Sequence, residues 1–463
     1  MGAFAVFLKK RGIEVTGSDL NIYPPMSDVL QMAHVKLLSG YSAENLTGLA
    51  RKPDLVVIGN VITPLNPEAR AAIDGGYVFS SLPEAMEELM LKDTRNCVVA
   101  GTHGKTTTSS LLAHVLAQAG KDPCYFIGGV SKDLPQSFQV SALTPGAPFV
   151  LEGDEYDTAF WDKVPKFNHY RPDQVILTSV EYDHADIYPD FEAVYRAFQG
   201  LLLRIRAGGQ LIACLDYDSI RKLIREAKVP VITYASRAAE GVRYWPSHVR
   251  ADDGLMRFDV MDAQTGGGGR KVDELVIQLP GLHNVMNALA VWIQCEGLGV
   301  SRDKTRAGLI SFQGVKRRQE ERGEVRGVLV IDDFAHHPTA VRETLRALKL
   351  KYPERRLVAV FEPRSATSRR KVFQKDYVEA FAEAASTFIA IPYDQTTIDV
   401  DDQFSSDQLV DDLHRMGLEA DVMATVEEGV KKVALSAKKG DLLAILSNGG
   451  FGGFIPKLLN ELT

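Results

Sequence analysis

Residues Cys97 to Leu112 read C-V-V-A-G-T-H-G-K-T-T-T-S-S-L-L. A short β-branched run enters a glycine turn, a Lys-Thr pair follows, and an apolar helix pattern begins at once. That order is the strand, phosphate loop and helix of a mononucleotide site. Glycines let backbone N–H groups curl around phosphate oxygens, and the helix N-terminus adds partial positive charge. Lys105 is placed to reach the β- and γ-phosphates, and the Thr106 hydroxyl to ligate Mg²⁺. Gly101, Thr102, His103, Gly104, Lys105, Thr106 and Thr107 therefore form the candidate nucleotide cradle. The general loop carries a glycine five residues before its Gly-Lys pair; here Val99 stands there, and Gly101 supplies the first glycine. The stretch reads as a site for ATP or a close analogue.

The chain has 463 residues, 45% hydrophobic and 24% charged. At about 150 residues per domain this predicts two to four domains, each with its own core. A net charge of −7 argues against nucleic acid as a partner. Cys97, Cys124, Cys214 and Cys295 are scattered without a Cys-x-x-Cys pair, so they read as reduced core residues. No apolar run approaches the ~18 residues of a membrane span. The apolar start precedes Lys9 and Lys10, the wrong order for a signal peptide, and Val6 excludes a myristoylation motif. The expected compartment is the cytoplasm.

Outward from the phosphate loop, residues 1–93 alternate helix and strand patterns. Ala3 to Lys10 reads as a helix, Glu14 to Gly17 as a strand ending at Ser18-Asp19, and Asp54 to Gly59 as a buried strand. A dinucleotide-type domain normally opens with a strand and a glycine turn before its first helix. Here the helix comes first, so the reading expects a missing N-terminal piece of roughly ten residues, an apolar strand with a Gly-rich turn. Residues 94–316 hold the phosphate loop, strand runs at Pro148–Leu151 and Gln174–Ser179, and four glycines at Gly266–Gly269 that suit a hairpin connection. From Arg317 onward, strand runs at Gly327–Ile331, Arg356–Phe361, Thr387–Ile391 and Leu442–Leu446 alternate with helices, the pattern of a covered parallel sheet. The acidic stretch Asp399 to Asp412 reads as a solvated loop and helix start.

Polar clusters follow several of these strands, where side chains emerge at the carboxyl edge of a sheet. A carboxylate of E-G-D-E (Glu152–Glu155) could hold a second Mg²⁺ near the γ-phosphate; a charged turn is the plain alternative. His184 in E-Y-D-H could ligate a metal or orient a phosphate. His283, Asn284 and Asn287 open an apolar helix, and capping accounts for only one of the two asparagines. The cationic run Lys316-Arg317-Arg318 could be solvated, but a planar guanidinium in it would make a good clamp for phosphates. Asp332-Asp333-Phe334-Ala335-His336-His337 invites a zinc reading, but adjacent side chains diverge and no third ligand is spaced nearby. Contacts to the adenosine, with Asp333 near ribose or phosphates and His336 beside it, fit better.

Six stretches in one order, G-T-H-G-K-T-T-T, E-G-D-E-Y-D, E-Y-D-H, H-N-V-M-N-A-L-A, G-V-K-R-R and D-D-F-A-H-H-P, make the chain resemble the Mur ligases. These are ATP-dependent amide-forming enzymes of peptidoglycan synthesis. The resemblance runs from about Glu14 to the C-terminus and implies an α/β architecture of three domains. They are a Rossmann-like UDP-sugar domain (1–93) without its first strand and glycine turn, a central phosphate-loop ATPase (94–316) and a Rossmann-like peptide domain (317–463). It implies that Lys105 binds phosphates, that Thr106 and Glu152 hold Mg²⁺, and that His184 serves a second metal position. Asn287 and Arg318 would meet ATP phosphates, and Asp333 the nucleotide. Several relatives carry a carbamylated lysine fifteen residues after the histidine; here that residue is Gln199.

Within the family, Y-P-P-M (Tyr23–Met26), E-G-D-E-Y-D-T-A-F (Glu152–Phe160), K-F-N-H-Y (Lys166–Tyr170), G-V-K-R-R-Q-E and F-E-P-R-S (Phe361–Ser365) resemble a recycling branch. That branch joins L-Ala-γ-D-Glu-meso-diaminopimelate, the murein tripeptide, to UDP-N-acetylmuramate. The implied chemistry is an acyl phosphate made with ATP and then attacked by an amine. Charge neutralisation and alignment carry such a reaction, with Lys105, His184 and Arg318 as the candidate catalytic groups. Arg364, after strand Arg356–Phe361, is a natural carboxylate clamp, and Ser447, Asn448 and Gly449 offer backbone donors and close approach. Ser18 and Asp19 are the candidate contacts of the sugar nucleotide. A monomer or weak homodimer is expected. The alternatives are L-alanine as the amine, glutamate addition to a folate, or an ATP-binding module without catalysis.

Overall fold

A computed structural model describes residues 1–22, 26–140, 143–264 and 268–463. Tyr23 to Pro25 of the Y-P-P-M stretch, and Gly266 and Gly267 of the glycine run, lie outside the described residues. The first helix spans Gly2–Lys10 and buries Phe4, Phe7 and Leu8. Two separate parallel pairs follow, β1 (Thr16–Asp19) with β2 (Lys36–Ser39), and β3 (Val56–Ile58) with β4 (Phe79–Ser81). Ser18 and Asp19 are the last two residues of β1, the polar strand end read from the sequence.

The phosphate-loop strand β5 (Arg95–Ala100) lies within a ten-stranded sheet. Its neighbours are β8 (Pro148–Gly153) and β9 (Gln174–Leu177), both parallel to it. Beyond β8 lie β6 (Cys124–Phe126) and β7 (Phe138–Gln139); beyond β9 lie β10 (Gln210–Cys214), β11 (Val231–Tyr234), β12 (Tyr244–Asp252), β13 (Leu255–Asp262) and β14 (Arg270–Ile277). The last three pair antiparallel, so the glycine run does join a hairpin. The run Cys97–Ala100 is buried on both faces, as a strand covered by helices requires. Helices Lys105–Gln118 and Leu282–Gly297 pack in the same core.

A six-stranded sheet follows, in the order β15 (Glu320–Val325), β16 (Val328–Asp333), β20 (Asp441–Leu446), β17 (Arg356–Phe361), β18 (Ser386–Ala390) and β19 (Glu419–Met423). All its pairs are parallel except β15 with β16. Apolar clusters fill both of its faces. The acidic stretch forms a 3-10 turn at Val400–Asp402 and the start of helix Ser406–Arg415, as expected of a solvated segment. All four cysteines are buried, and none is in a disulfide. Among the described residues no helix is long and apolar enough to cross a membrane.

One buried polar contact ties the helix that carries Asn284 and Asn287 to the sheet. Trp292 Nε1 donates to Asp273 Oδ2 of β14 at 2.8 Å, and Arg306 pairs with the other carboxylate oxygen. Trp292 is wholly buried, so its N–H has no water to turn to. Asp273→Ala is expected to cost about 2 kcal/mol, the loss typical of a stranded buried donor. A melting curve followed by circular dichroism checks it; an unchanged Tm would show the contact to be idle.

Candidate active site

The loop after β5 closes tightly against β9. Gly101 has φ +136°, and a Cβ there would lie 2.2 Å from Thr178 Oγ1, so only glycine fits. The loop delivers Lys105 and Thr106 to the first turn of helix Lys105–Gln118. Thr106 Oγ1 donates to Glu152 Oε1 at 2.6 Å, and the N–H of Gly128 donates to Glu152 Oε2 at 2.7 Å. Glu152 and Gly153 are themselves the last residues of β8, so the carboxylate sits on a rigid ladder and not on a turn. Burial and neighbouring Asp154 raise the Glu152 pKa despite these donors. An enclosed carboxylate beside a second acid is a position that a cation would relieve.

Lys105 Nζ reaches the Gly101 carbonyl at 2.7 Å and lies 2.9 and 3.0 Å from the two oxygens of Glu155. Glu155 also accepts from His184 Nε2 at 2.9 Å. Burial opposes its charge, yet Lys105 and His184 hold its pKa down to about 2. The same contact raises the His184 pKa against the pull of burial. His184 keeps this position with φ +57°, a conformation that a residue with a side chain holds only where its surroundings enforce it. E-G-D-E shows two glutamates, and only their tertiary partners distinguish Glu152 from Glu155.

These groups open onto a cleft of about 1260 Å³ that runs from the phosphate loop to the six-stranded sheet. Thr102, His103, Gly104, Thr107, Asn284, Asn287, Arg318, Asp333 and His336 line it together with Lys105, Thr106, Glu152 and His184. Among the described residues no carboxylate pairs with Arg318, whose guanidinium lies 4.9 Å from the Phe334 ring centre. Contrary to the capping expectation, neither asparagine caps the helix Leu282–Gly297. Gly281 occupies the N-cap; Asn284 Nδ2 donates to the Pro280 carbonyl and Asn287 Nδ2 to Asn284 Oδ1. His283, which opens the same helix, is half-buried with its Nδ1 enclosed and lacking a hydrogen-bond partner, and burial lowers its pKa to about 4.

Asp333 lines the cleft with both oxygens already engaged: Oδ1 by Ala335 N–H and Thr344 Oγ1, Oδ2 by Gln319 N–H. It therefore shapes the turn after β16. His336 Nδ1 lies 3.0 Å from the Phe334 carbonyl. His337 also lines the cleft, and it caps helix Pro338–Lys351 by accepting from Thr339 N–H. His103, Glu181 and His337 come within the mutual reach of a cation. But Nδ1 of His337 is spent on the cap, and Nε2, which must then carry the hydrogen, donates to the Tyr182 carbonyl at 3.2 Å.

Arg364, Ser447, Asn448 and Gly449 assemble beside one another, outside the lining of this cleft. Arg364 pairs with Glu362 at 3.3 Å and lies 4.1 Å from the Tyr393 ring centre. A Cβ on Gly449 would fall 2.1 Å from Arg364 Cδ, so the close approach expected of this glycine is made by Arg364 itself. The expected free backbone donors are partly spent: Ser447 N–H bonds the Asp333 carbonyl, and Gly449 N–H bonds Ser447 Oγ. The Asn448 Oδ1 is buried without a partner. Ser18 and Asp19 are also outside the cleft; Ser18 Oγ donates to Glu68 Oε1 at 2.8 Å, and Asp19 is exposed. Gln199 bonds Glu226 and does not line the cleft.

The chain matches the family models described as Mur ligase family, catalytic domain (residues 1–94), Mur ligase middle domain (99–295) and Mur ligase, glutamate ligase domain (317–449). It is 35% identical to the UDP-N-acetylmuramate–L-alanyl-γ-D-glutamyl-meso-2,6-diaminoheptandioate ligase of Escherichia coli K12, across 100% of this chain and 96% of that one. It is 32% identical to the UDP-N-acetylmuramate–L-alanine ligase of Burkholderia cenocepacia, with the same coverage of 100% and 96%. Among solved structures, a murein peptide ligase of Psychrobacter arcticus 273-4 superposes with a TM-score of 0.69 at 32% identity, covering 100% of this chain and 96% of that one. The UDP-N-acetylmuramate–alanine ligase of Thermotoga maritima gives 0.75 at 22% identity, over 99% and 96%, a likeness of fold. The chain belongs to the Mur ligase family, the ligases whose three α/β domains its sheets reproduce.

Proposed function

We propose that this protein uses ATP to join UDP-N-acetylmuramate to L-Ala-γ-D-Glu-meso-diaminopimelate, a reaction of peptidoglycan recycling. The observation that carries the reading is the full-length likeness to the tripeptide ligases, on a chain whose phosphate loop and Arg318 face one cleft. In this reading residues 1–93 hold the sugar nucleotide, with Ser18 and Asp19 at its contact edge. Residues 94–316 hold ATP, and residues 317–463 hold the tripeptide.

A carboxylate is a poor electrophile because oxide does not leave. Attack of the muramate carboxylate on the γ-phosphorus expels ADP and gives an acyl phosphate; the amine then displaces phosphate and forms the amide. Both partners of the first step are anions, so the protein's work is neutralisation and alignment. Lys105 and Arg318 supply fixed positive charge, and the Gly101 to Thr107 backbone and helix N-terminus supply donors. Thr106, Glu152 and His184 would hold Mg²⁺, and the enclosed Glu152 carboxylate fits that need. When bound, the cation neutralises phosphate charge. Asn284 and Asn287, with His283 beside them, would meet the nucleotide, as would Asp333 and His336; all of them line the same cleft as Lys105. Arg364, rigid between Gly449 and Tyr393, would take a tripeptide carboxylate, with Ser447 and Asn448 beside it.

Two outcomes follow from these roles. Lys105→Ala should cut kcat/KM by at least ~100-fold, the effect of losing about 3 kcal/mol of preorganised charge. Because it also strands the Glu155 carboxylate, turnover must be read on protein shown to be folded by circular dichroism; near-normal turnover would remove the phosphate loop from the mechanism. The second concerns the amine. The tripeptide should be joined with a kcat/KM far above that of L-alanine, measured by phosphate release with each amine in turn. A preference for L-alanine would move the chain to the other ligase type that it matches.

A further inference from the structure

Glu155 has no part in the reaction derived above, yet it holds the phosphate loop's own cation. Its side chain is 2% exposed, and that of Lys105 11%. An ammonium has three hydrogens to donate. Those of Lys105 are directed at Glu155, at the Gly101 carbonyl (2.7 Å) and, more weakly, at the Thr102 carbonyl (3.4 Å). To bind a phosphate oxygen, Lys105 must give up a partner, and the two carbonyls belong to the loop that carries it. Glu155 is the partner that can be exchanged. It is held in place from behind, because Tyr188 Oη donates to its backbone carbonyl at 2.6 Å and His184 Nε2 to its carboxylate at 2.9 Å.

The charges around this pair are unequal. The acids Glu152 and Asp154 also act on Lys105, and Asp183 stands beside His184. Lys166 answers Asp154 at 3.2 Å. Once Lys105 turns to a phosphate, Glu155 keeps only His184, and the carboxylates of Glu152 and Glu155 both lie near an incoming polyanion. Such repulsion inside a dry site is large enough to decide binding.

We propose that Glu155 is the resting counter-ion of Lys105, exchanged for the nucleotide's phosphates on binding, and that this exchange makes tight ATP binding depend on the divalent cation. Glu155 is thus a positioning residue: it keeps Lys105 aimed in the empty site and penalises metal-free nucleotide. The idea rests on the nucleotide-site reading above, and the experiment separates the two.

ATP binding to the full chain is measured by titration calorimetry with and without Mg²⁺, for the unaltered protein and Glu155→Gln. The amide retains the shape and can still bond Lys105, but carries no charge. Metal-free ATP is expected to bind Glu155→Gln about tenfold more tightly than the unaltered protein, as removal of one close like charge implies. The gain from Mg²⁺ should shrink by the same factor. A purely structural role would instead weaken binding in both conditions, and an unchanged Mg²⁺ gain, or weaker metal-free binding, overturns the proposal. Failure of the unaltered protein to bind ATP in either condition overturns the nucleotide-site reading itself. A crystal structure of the unaltered protein with Mg²⁺ and a non-hydrolysable ATP analogue tests the exchange without any variant. Lys105 Nζ should then contact phosphate and stand beyond hydrogen-bond distance of Glu155, and a Lys105–Glu155 pair persisting beside bound nucleotide overturns the exchange.

Discussion

The buried line Lys105–Glu155–His184 is the constraint on which the site is built. Removing two such charges from water costs several kcal/mol per ion, and the cost is offset only when geometry is good and the remaining valences are filled. Here they are filled from three elements of one sheet edge: the loop after β5, the segment after β8 and the segment after β9. Moving any of the three would leave a charge buried alone. The pair therefore fixes the relative positions of the groups that would meet phosphate, metal and acyl donor.

A second joint links that edge to the six-stranded sheet. Arg317 has φ +59° and Gln319 +49°, so the residues on both sides of Arg318 adopt left-handed backbone. Arg317 Nη2 donates to the carbonyls of Ser447 and Gly449, each at 2.7 Å, and its backbone carbonyl receives Phe334 N–H. The strain at this turn is balanced by contacts to the loop on which Arg364 rests. Thr367 adds a direct tie, donating to Asp183 Oδ1 at 2.7 Å, one residue from His184. The segments that carry Arg318 and His184 are thus tied to the loops after β20 and β17 by hydrogen bonds.

Much of this was legible in the chain itself. The phosphate loop, the three α/β segments and the glycine-linked hairpin follow from periodicity and turn chemistry, because each is encoded by local residues. Strand ends were read too short at the places that matter. β8 runs on through Glu152-Gly153, and β16 through Asp332-Asp333, because ladder hydrogen bonds continue after the apolar run stops. The two glutamates of E-G-D-E could not be separated by sequence, since burial and partner choice are tertiary. Likewise Gly449 does make a close approach, but which group approaches depends on a loop eighty-odd residues earlier in the chain.

The short reading of the strands has a physical moral for the site. A residue at the end of a ladder has its backbone fixed by the ladder bonds, whereas one in a turn must have its backbone ordered by other contacts. Glu152 gains that rigidity from β8, and Asp333 from β16. Arg364, on the loop after β17, lacks a ladder and is instead confined by contact, with Gly449 on one side and the Tyr393 ring on another. Its side chain still keeps 31% of its exposure, so these contacts and the pair with Glu362 hold the guanidinium without sealing it from solvent. Ladder ends thus fix Glu152 and Asp333, while a loop clamped by contact leaves Arg364 partly open to solvent.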